Sequence, residues 1–392
     1  MSDQRYDALI IGAGIMGCSS AYELATRGLK VAVLEKGAIG SGSTGKSSAI
    51  IRQHYSNEVT ARMALYSLRV FQNFHEVVGG DAGFRRTGFL VLTPEKDLQG
   101  LRANVALQRS VGIQTELIDA AELRHRWPYL ETGDLVAAAY EEASGYADPN
   151  LTVQSFASAA KQRGATIHLD TQVSGVRFTG GSVQGVETTR GGFRAPVVVN
   201  CAGPWGARVA RMAGVQAPID SCRVQVAFFR RPPAYHADHP VVADFNHAVY
   251  WRPETGGLTL VGLIDPSEQE AVVDPDNYRE AVDFEFVADA GERLARRFPA
   301  IEQGEGAGGF AALYAITPDW HPLIDEVPEG SGFYLCTGFS GHGFKLGPAV
   351  GRMVADMVLG QSTEGLHRHL FRLSRFSEND PVRGRYEYSI AG

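Results

Sequence analysis

Residues Tyr6–Gly17 read YDALIIGAGIMG, and this stretch decides the fold. The run Tyr6–Ile11 is apolar at its end and too short for a helix, so it predicts a buried strand. It passes without a linker into the pattern G-x-G-x-x-G, formed by Gly12, Gly14 and Gly17. In a dinucleotide site the first glycine permits a tight turn, the second lets the backbone approach a pyrophosphate, and the third lets a helix pack on the strand.

The residues that follow complete a strand–helix–strand unit. A helical pattern through Ala21, Leu24 and Ala25 leads to the apolar run Val31–Leu34, which ends on Glu35. The helix N-terminus favours phosphate, and Glu35 can accept a hydrogen bond from a ribose hydroxyl. Because the glycines lie in this context, they predict a dinucleotide site rather than an ordinary turn.

The composition excludes several classes of protein. The chain has 392 residues, with 44% hydrophobic and 21% charged residues, which is typical of soluble globular chains of two or three domains. A net charge of −7 gives no electrostatic footprint for nucleic acid. The four cysteines have no C-x-x-C spacing, so neither zinc nor dithiol chemistry is predicted. The polar start and the lack of a long apolar run predict a reduced, cytoplasmic protein without a membrane span.

Later segments predict two interleaved domains. Strand-like runs at 164–169, 197–200 and 332–337 and helical runs at 151–163 and 346–359 extend the nucleotide domain. Runs at 88–92, 223–229 and 258–262 predict half-buried strands of a second sheet. We therefore predict an α/β fold, α+β overall, in which a Rossmann-like domain (1–85, 145–215 and 310–392) is interleaved with an antiparallel β-sheet substrate domain (86–144 and 216–309). The arginine-rich tail from His367 to Arg385 is expected to be solvated.

The segment Gly40–Ser48 is rich in glycine and hydroxyl groups. Such a loop can wrap a cofactor that continues past its pyrophosphate, as a flavin does, although its composition alone also suits a surface loop. Together with Gly12–Gly17 and Glu35, the motifs Ile50–Arg52, Asn200–Trp205 and Gly338–Lys345 resemble the sarcosine oxidase, glycine oxidase and D-amino acid oxidase family, closest to the sarcosine oxidases. That resemblance implies a domain that binds FAD and an amine substrate, commonly an amino acid.

The resemblance also implies a set of cofactor-binding residues and no metal. These residues are Gly12, Gly14, Ile15, Met16, Gly17, Glu35, Lys36, Ser43, Thr44, Ser47, Ser48, Val173, Ala202, Gly203, Trp205, Gly341, His342, Gly343, Phe344 and Lys345. For Trp205, packing is an alternative role.

Four residues are implied at the catalytic centre. Arg52 and Lys345 match the pair that binds the substrate carboxylate in sarcosine oxidases. Arg52 can form two parallel bonds to that group, whereas Lys345 acts as a point charge. A lysine at a helix start is unfavourable, so its presence suggests an anionic partner. Tyr250 matches a tyrosine of the substrate site or is a core residue, and His342 lies beside the expected flavin ring or has a structural role.

Three departures from the family pattern are expected to matter. Ala312 occupies the position from which some sarcosine oxidases attach flavin through cysteine, which predicts non-covalent FAD. Thr259 is expected where monomeric sarcosine oxidases place a lysine over the flavin, which predicts slow reaction with oxygen. Ala49 replaces a second family arginine.

The leading hypothesis is an FAD-dependent enzyme that oxidises the C–N bond of a small amino acid, with a secondary, N-methylated or cyclic amine, by hydride transfer to flavin N5. The imine is then hydrolysed. An alternative keeps the flavin but makes the chain a dehydrogenase subunit that passes electrons to a partner protein. A third is a non-catalytic or NAD-binding Rossmann protein.

Overall fold

A computed structural model describes residues 4–235, 239–264, 271–362 and 368–383. Within these residues the α-helices are α1 (Ile15–Thr26), α2 (Glu58–Gln72), α3 (Phe74–Val77), α4 (Leu98–Ser110), α5 (Ala120–Arg126), α6 (Pro149–Gln162), α7 (Gly206–Met212), α8 (Phe284–Arg297) and α9 (Gly343–Val358). The strands are β1 (Gln4–Arg5), β2 (Ala8–Ile11), β3 (Val31–Leu34), β4 (Ile50–Ile51), β5 (Phe89–Leu92), β6 (Glu116–Asp119), β7 (Ala137–Glu141), β8 (Gly145–Tyr146), β9 (Thr166–His168), β10 (Val173–Thr179), β11 (Ser182–Thr188), β12 (Gly191–Arg194), β13 (Val197–Asn200), β14 (Asp220–Arg230), β15 (Val241–Asp244), β16 (Val249–Glu254), β17 (Leu258–Leu263), β18 (Glu305–Ile316), β19 (Leu323–Glu326) and β20 (Phe333–Thr337).

The predicted strand–helix–strand unit lies at the centre of a six-stranded sheet. Its strand order is β19-β20-β13-β2-β3-β9, and all neighbours are parallel except the edge strand β19. Helices α1, α6 and α9 pack together over one face, where residues such as Leu24, Phe156 and Met353 form the largest apolar core. Because parallel strands buried on both faces read as continuous apolar runs, β2 and β3 were recognisable from the sequence.

A second sheet has eight strands in the order β18-β14-β17-β16-β15-β5-β7-β6. It is antiparallel except where β15 pairs with β5 in parallel. The prediction that β5 is half-buried is wrong, because all four of its residues are buried. Phe89 packs in a cluster with Leu101 of α4, and Leu90 packs on the opposite face with Phe286 of α8. Helices α4 and α8 therefore pack on opposite faces of this sheet.

Each sheet draws its strands from separated parts of the chain, as an interleaved α/β fold requires. The residue boundaries of the two domains remain predictions. A smaller four-stranded sheet, β1-β12-β11-β10, and the pair β4-β8 complete the strand pairing of the described residues. Among those residues, none of the helices has the length and apolar character that a bilayer crossing requires.

The expectation of a solvated C-terminal tail is wrong for Arg375. Its guanidinium is fully buried and donates to both carboxylate oxygens of Asp319 at 2.7 and 2.9 Å. The backbone N–H of Val382 donates to the same carboxylate at 3.0 Å. The tail is thus fastened to the segment that follows β18, while His367 and Arg385 lie outside the described residues.

Candidate active site

The glycine turn after β2 forms one wall of a cavity. Gly12 has φ +104°, and a Cβ there would lie 2.6 Å from the Cys201 carbonyl oxygen. At Gly17 a Cβ would lie 1.9 Å from the Gly12 oxygen, so α1 can approach the turn only without a side chain. The N-cap residue of helix α1 is Gly14, which has no side chain to cap the helix, and the N–H group of Ile15 donates to the Thr44 hydroxyl at 3.0 Å. The remaining N–H groups of its first turn are available to an anionic group such as a pyrophosphate.

Glu35 lies immediately after β3, as the sequence predicted. Its two carboxylate oxygens accept hydrogen bonds from the backbone N–H groups of Ala13 at 2.7 Å and Gly37 at 2.8 Å. These bonds orient the carboxylate and link it to the glycine turn. Each oxygen keeps a further lone pair, so acceptance of a ribose hydroxyl remains compatible with this geometry.

The hydroxyl groups of the 40–48 loop hold it between the two large sheets. Thr44 accepts from the backbone N–H of Ile15 at 3.0 Å, and Ser43 donates to the Leu313 carbonyl of β18 at 2.7 Å. At the end of the loop, the Ser48 hydroxyl lies 2.9 Å from that of Tyr250. The loop is therefore an ordered wall of the cavity and its hydroxyls have defined partners.

The cavity enclosed by these elements has a volume of about 570 Å³. Every residue that the sequence predicted for cofactor binding or catalysis lines it, with the exception of Gly17, which supports the turn from behind. A glycine cradle, a helix N-terminus and an oriented acid lie along one cavity, as an adenine dinucleotide requires. The residues present therefore fit FAD.

Two basic side chains, Arg52 and Lys345, line the cavity together with the Gly341–Gly343 turn. Lys345 is only 7% exposed, and among the described residues its ammonium has no hydrogen bond or ion pair. Burial and the neighbouring Arg52 together hold the pKa of Lys345 well below its usual range. Such a group gains strongly from an anionic partner, because a buried charge is costly unless it is paired.

Arg52 follows β4 and is fixed by its own neighbours. One terminal nitrogen donates to the His54 carbonyl, and the other lies 3.4 Å from Nδ1 of His342. The guanidinium carbon is 4.4 Å from the centre of the Tyr55 ring. The contact with the Tyr55 ring and the hydrogen bond to the His54 carbonyl restrict the orientation of the guanidinium.

His342 is neutral at physiological pH. Burial, with Lys345 and Arg52 nearby, holds the pKa of its imidazole well below the usual range. When Nδ1 accepts from Arg52, the proton lies on Nε2, and that buried nitrogen has no partner among the described residues. His342 can therefore donate one hydrogen bond to a group bound in the cavity.

Tyr314 is a cavity residue that sequence reasoning missed. Burial, together with a hydrogen bond to Tyr250, raises its pKa well above the usual range, so it remains a phenol. Alternation along β18 places Tyr314 on the same face as Ala312, which also lines the cavity. This period of two, applied to the position of Ala312, is the signal that could have found it.

A second missed group is the strap, residues 272–281, which borders the cavity near Lys36. Asp276 of the strap accepts from Lys36 at 2.6 Å, from Trp205 Nε1 at 2.8 Å and from Arg208 at 2.6 Å. The Lys36 ammonium also lies 3.6 Å from the centre of the Trp205 ring. Since Asp276 has no motif around it, its role follows only from the folded structure.

The expectation that Thr259 faces the flavin is wrong. Thr259 is fully buried within β17, and its hydroxyl accepts from Arg231 at 2.9 Å. It does not belong to the cavity lining, which on this strand includes Leu263. Its lack of charge therefore gives no ground for slow reaction with oxygen. Ala49, by contrast, does line the cavity.

Comparison with known proteins agrees with this geometry. The chain is 29% identical over 388 residues to human mitochondrial sarcosine dehydrogenase, covering 96% of this chain but 42% of that protein. It is 27% identical to sarcosine oxidase subunit beta of Rhodobacter capsulatus, covering 97% of this chain and 92% of the relative. Among solved structures, L-proline dehydrogenase from P. horikoshii superimposes with a TM-score of 0.89 at 29% identity, covering 97% and 100% of the two chains.

A family model described as FAD dependent oxidoreductase (DAO) matches residues 7–357. The resemblance and the fold class predicted from the sequence are thereby confirmed, and the NAD-binding and non-catalytic alternatives are wrong. The names of these homologues state that they act on sarcosine or on L-proline. The chain belongs to the DAO family of FAD-dependent oxidoreductases, and its cofactor is FAD.

Proposed function

We propose that this enzyme oxidises a small amino acid whose amine is secondary, either N-methylated, as in sarcosine, or cyclic, as in proline. The observation that carries the proposal is the pair of neighbouring basic side chains, Arg52 and Lys345, in the lining of the cavity. Lys345 is buried there without a counter-ion among the described residues. A substrate carboxylate supplies the missing negative charge.

Arg52 and Lys345 bind that carboxylate in different ways. The guanidinium, which lies over the Tyr55 ring, can offer two parallel N–H donors to the carboxylate, and such a pair of bonds fixes the orientation of the substrate as well as its position. Lys345 lies in the first turn of α9 and adds a point charge. Because little acid–base chemistry is needed at the reacting carbon, orientation is the main contribution of these residues.

When bound, FAD supplies a two-electron acceptor for hydride from the substrate C–H bond next to nitrogen. The side chains around the substrate remain uncharged donors at neutral pH: Tyr314 as a phenol and His342 as a neutral imidazole. They can orient an amine without protonating it. The imine product then reacts with water.

The names of the relatives support the substrate class. Human sarcosine dehydrogenase and the P. horikoshii L-proline dehydrogenase are named after sarcosine and proline, and both of these amino acids carry a secondary amine. A second candidate function, a dehydrogenase subunit that passes electrons to a partner protein, is favoured by the words dehydrogenase and subunit in those names. Non-covalent binding of FAD, supported by Ala312, and a cytoplasmic location also remain predictions.

The experiment is anaerobic reduction of the purified flavoprotein by sarcosine, L-proline, glycine and carboxylate-free amines, followed by loss of flavin absorbance. Rapid bleaching by at least one secondary amino acid supports the proposal, and bleaching only by carboxylate-free amines contradicts it. Reoxidation of the reduced protein by oxygen and by an artificial acceptor then separates the oxidase from the dehydrogenase subunit.

A further inference from the structure

A buried carboxyl group lies next to the segment that carries Arg52. Glu141 is the last residue of β7, is completely buried and does not line the cavity. Its Oε2 atom accepts hydrogen bonds from the backbone N–H of Gln53 at 2.8 Å and from the Ser144 hydroxyl at 2.7 Å. Its Oε1 atom is buried and has no partner among the described residues. The function proposed above does not use this group.

Glu141 is joined to the segment that carries Arg52. Strand β4, which ends one residue before Arg52, pairs with β8, and β8 begins four residues after Glu141. The hydrogen bond from Gln53 to Glu141 extends this pairing by fixing the peptide group directly after Arg52. The Glu141 carboxyl is therefore bonded to the peptide group next to Arg52, and the Arg52 charge acts on it.

The charge of Glu141 is finely balanced. Burial raises its pKa to about 7, against the opposing effects of the Ser144 and Gln53 hydrogen bonds and of the Arg52 charge. Tyr55, the other titratable group that interacts with it, has its pKa raised to about 12 by burial and stays neutral. Glu141 can thus gain or lose a proton near neutral pH, with Arg52 as the cation that favours its ionised form.

We propose that Glu141 is a positioning residue of the carboxylate site, which balances Arg52 when the site is empty and takes up a proton from solvent when a substrate carboxylate binds. The inference rests on the proposed function, because it takes Arg52 as the group that holds that carboxylate. The Arg52 charge favours the ionised form of Glu141, and a bound anion adds a second negative charge near that guanidinium, so that each of the two like charges disfavours the ionised form of the other. When protonated, Glu141 can still accept the hydrogen bond from the backbone N–H of Gln53.

The coupling is reciprocal, so proton uptake and pH-dependent affinity must have the same size. If carboxylate binding raises the Glu141 pKa by about one unit, affinity falls about tenfold as pH rises across both pKa values. Roughly half a proton is then taken up per site at pH 7.5. Loss of a proton from Lys345 also weakens binding as pH rises, whereas His342 is already neutral. Variants are therefore needed to isolate Glu141.

The test uses the FAD-loaded enzyme with methoxyacetate and tetrahydrofuran-2-carboxylate, which replace the amine of sarcosine and proline by oxygen. Flavin absorbance reports binding, and an indicator dye in weakly buffered solution reports protons taken up. In Glu141→Gln we expect loss of the part of the proton uptake, and of the pH dependence of affinity, that comes from Glu141. In Glu141→Asp we expect both to return, because a titratable carboxyl group is present again. Glu142→Gln is the matched control, because that side chain is 67% exposed and pairs with Arg86 on the surface.

The outcomes separate this inference from the function on which it rests. Binding that needs Arg52 but takes up no proton, or an unchanged pH profile in Glu141→Gln, overturns the role of Glu141 and leaves the proposed function standing. Failure of both carboxylates to bind, or binding unaffected by Arg52→Ala, overturns both. If Glu141→Gln does not fold, infrared difference spectra of the wild type decide the matter: the C=O band of a protonated carboxyl must appear on binding, and its absence refutes the inference.

Discussion

Replacement of Arg52 by alanine tests whether Arg52 and Lys345 bind the substrate carboxylate. Removing one partner of a desolvated charge pair typically costs about 2–5 kcal/mol, which corresponds to a loss of about 30-fold or more in kcat/KM. We expect the lower part of this range, about 30- to 100-fold, because Lys345 remains in the cavity and still attracts the carboxylate. The assay compares L-proline with pyrrolidine and sarcosine with dimethylamine, since each pair differs by the carboxylate.

The carboxylate-free amines are the internal control for this variant. They have no carboxylate for Arg52 and Lys345 to bind, so their slow turnover should change little in Arg52→Ala. Arg62→Ala is the matched surface substitution, because Arg62 is 41% exposed on α2 and pairs only with Glu58 among the residues that the structure describes. Equal losses for amino acids and plain amines in Arg52→Ala would refute the reasoning, and Arg52 would then support the fold or the flavin.

Three further predictions concern the cofactor and the stability of the chain. Acid precipitation should release all the yellow colour into the supernatant as FAD, because Ala312 cannot form a thioether; colour left in the pellet contradicts this. Asp276→Asn should speed the dissociation of FAD, and added salt should speed it in the wild type, because an exposed ion pair holds the strap to Lys36. Flavin fluorescence after dilution measures both dissociation rates. Equal rates in variant and wild type that do not change with salt would contradict this prediction. Arg375→Met should lower the free energy of unfolding by about 3–5 kcal/mol at pH 7, because Asp319 is left buried without its partner. The ion pair with Arg375 holds the pKa of Asp319 below its usual value of 3.8, so the pair stabilises the folded state above that pH and the stabilisation is lost as the pH falls further. Denaturant unfolding curves of wild type and variant should therefore converge in acid.

The sequence was most informative where local pattern and function coincide. Three glycines, a short apolar run and Glu35 predicted the nucleotide half of the fold, because backbone crowding leaves no alternative to glycine at Gly12 and Gly17. The position of Lys345 at a helix start was also predicted correctly, although α9 begins at Gly343, three residues earlier than the apolar pattern indicated. These features are encoded within a few residues of one another.

Other features depend on contacts between distant segments. Asp276 meets Lys36 across 240 residues, and Glu141 meets Gln53 across 88, so neither pairing leaves a trace in local spacing. Thr259 was misplaced because a strand residue faces either the cavity or the far side of its sheet, and the sequence around it alternates too weakly to decide. Arg375 looked like a solvated charge, since the partner that buries it lies 56 residues away.

The most direct test of the central claim is a crystal structure of the FAD-loaded enzyme with tetrahydrofuran-2-carboxylate or methoxyacetate bound. We predict that the ligand carboxylate accepts from both Arg52 and Lys345 at charge-assisted distances of about 2.7–2.9 Å. A ligand whose carboxylate lies away from both cations would contradict the account.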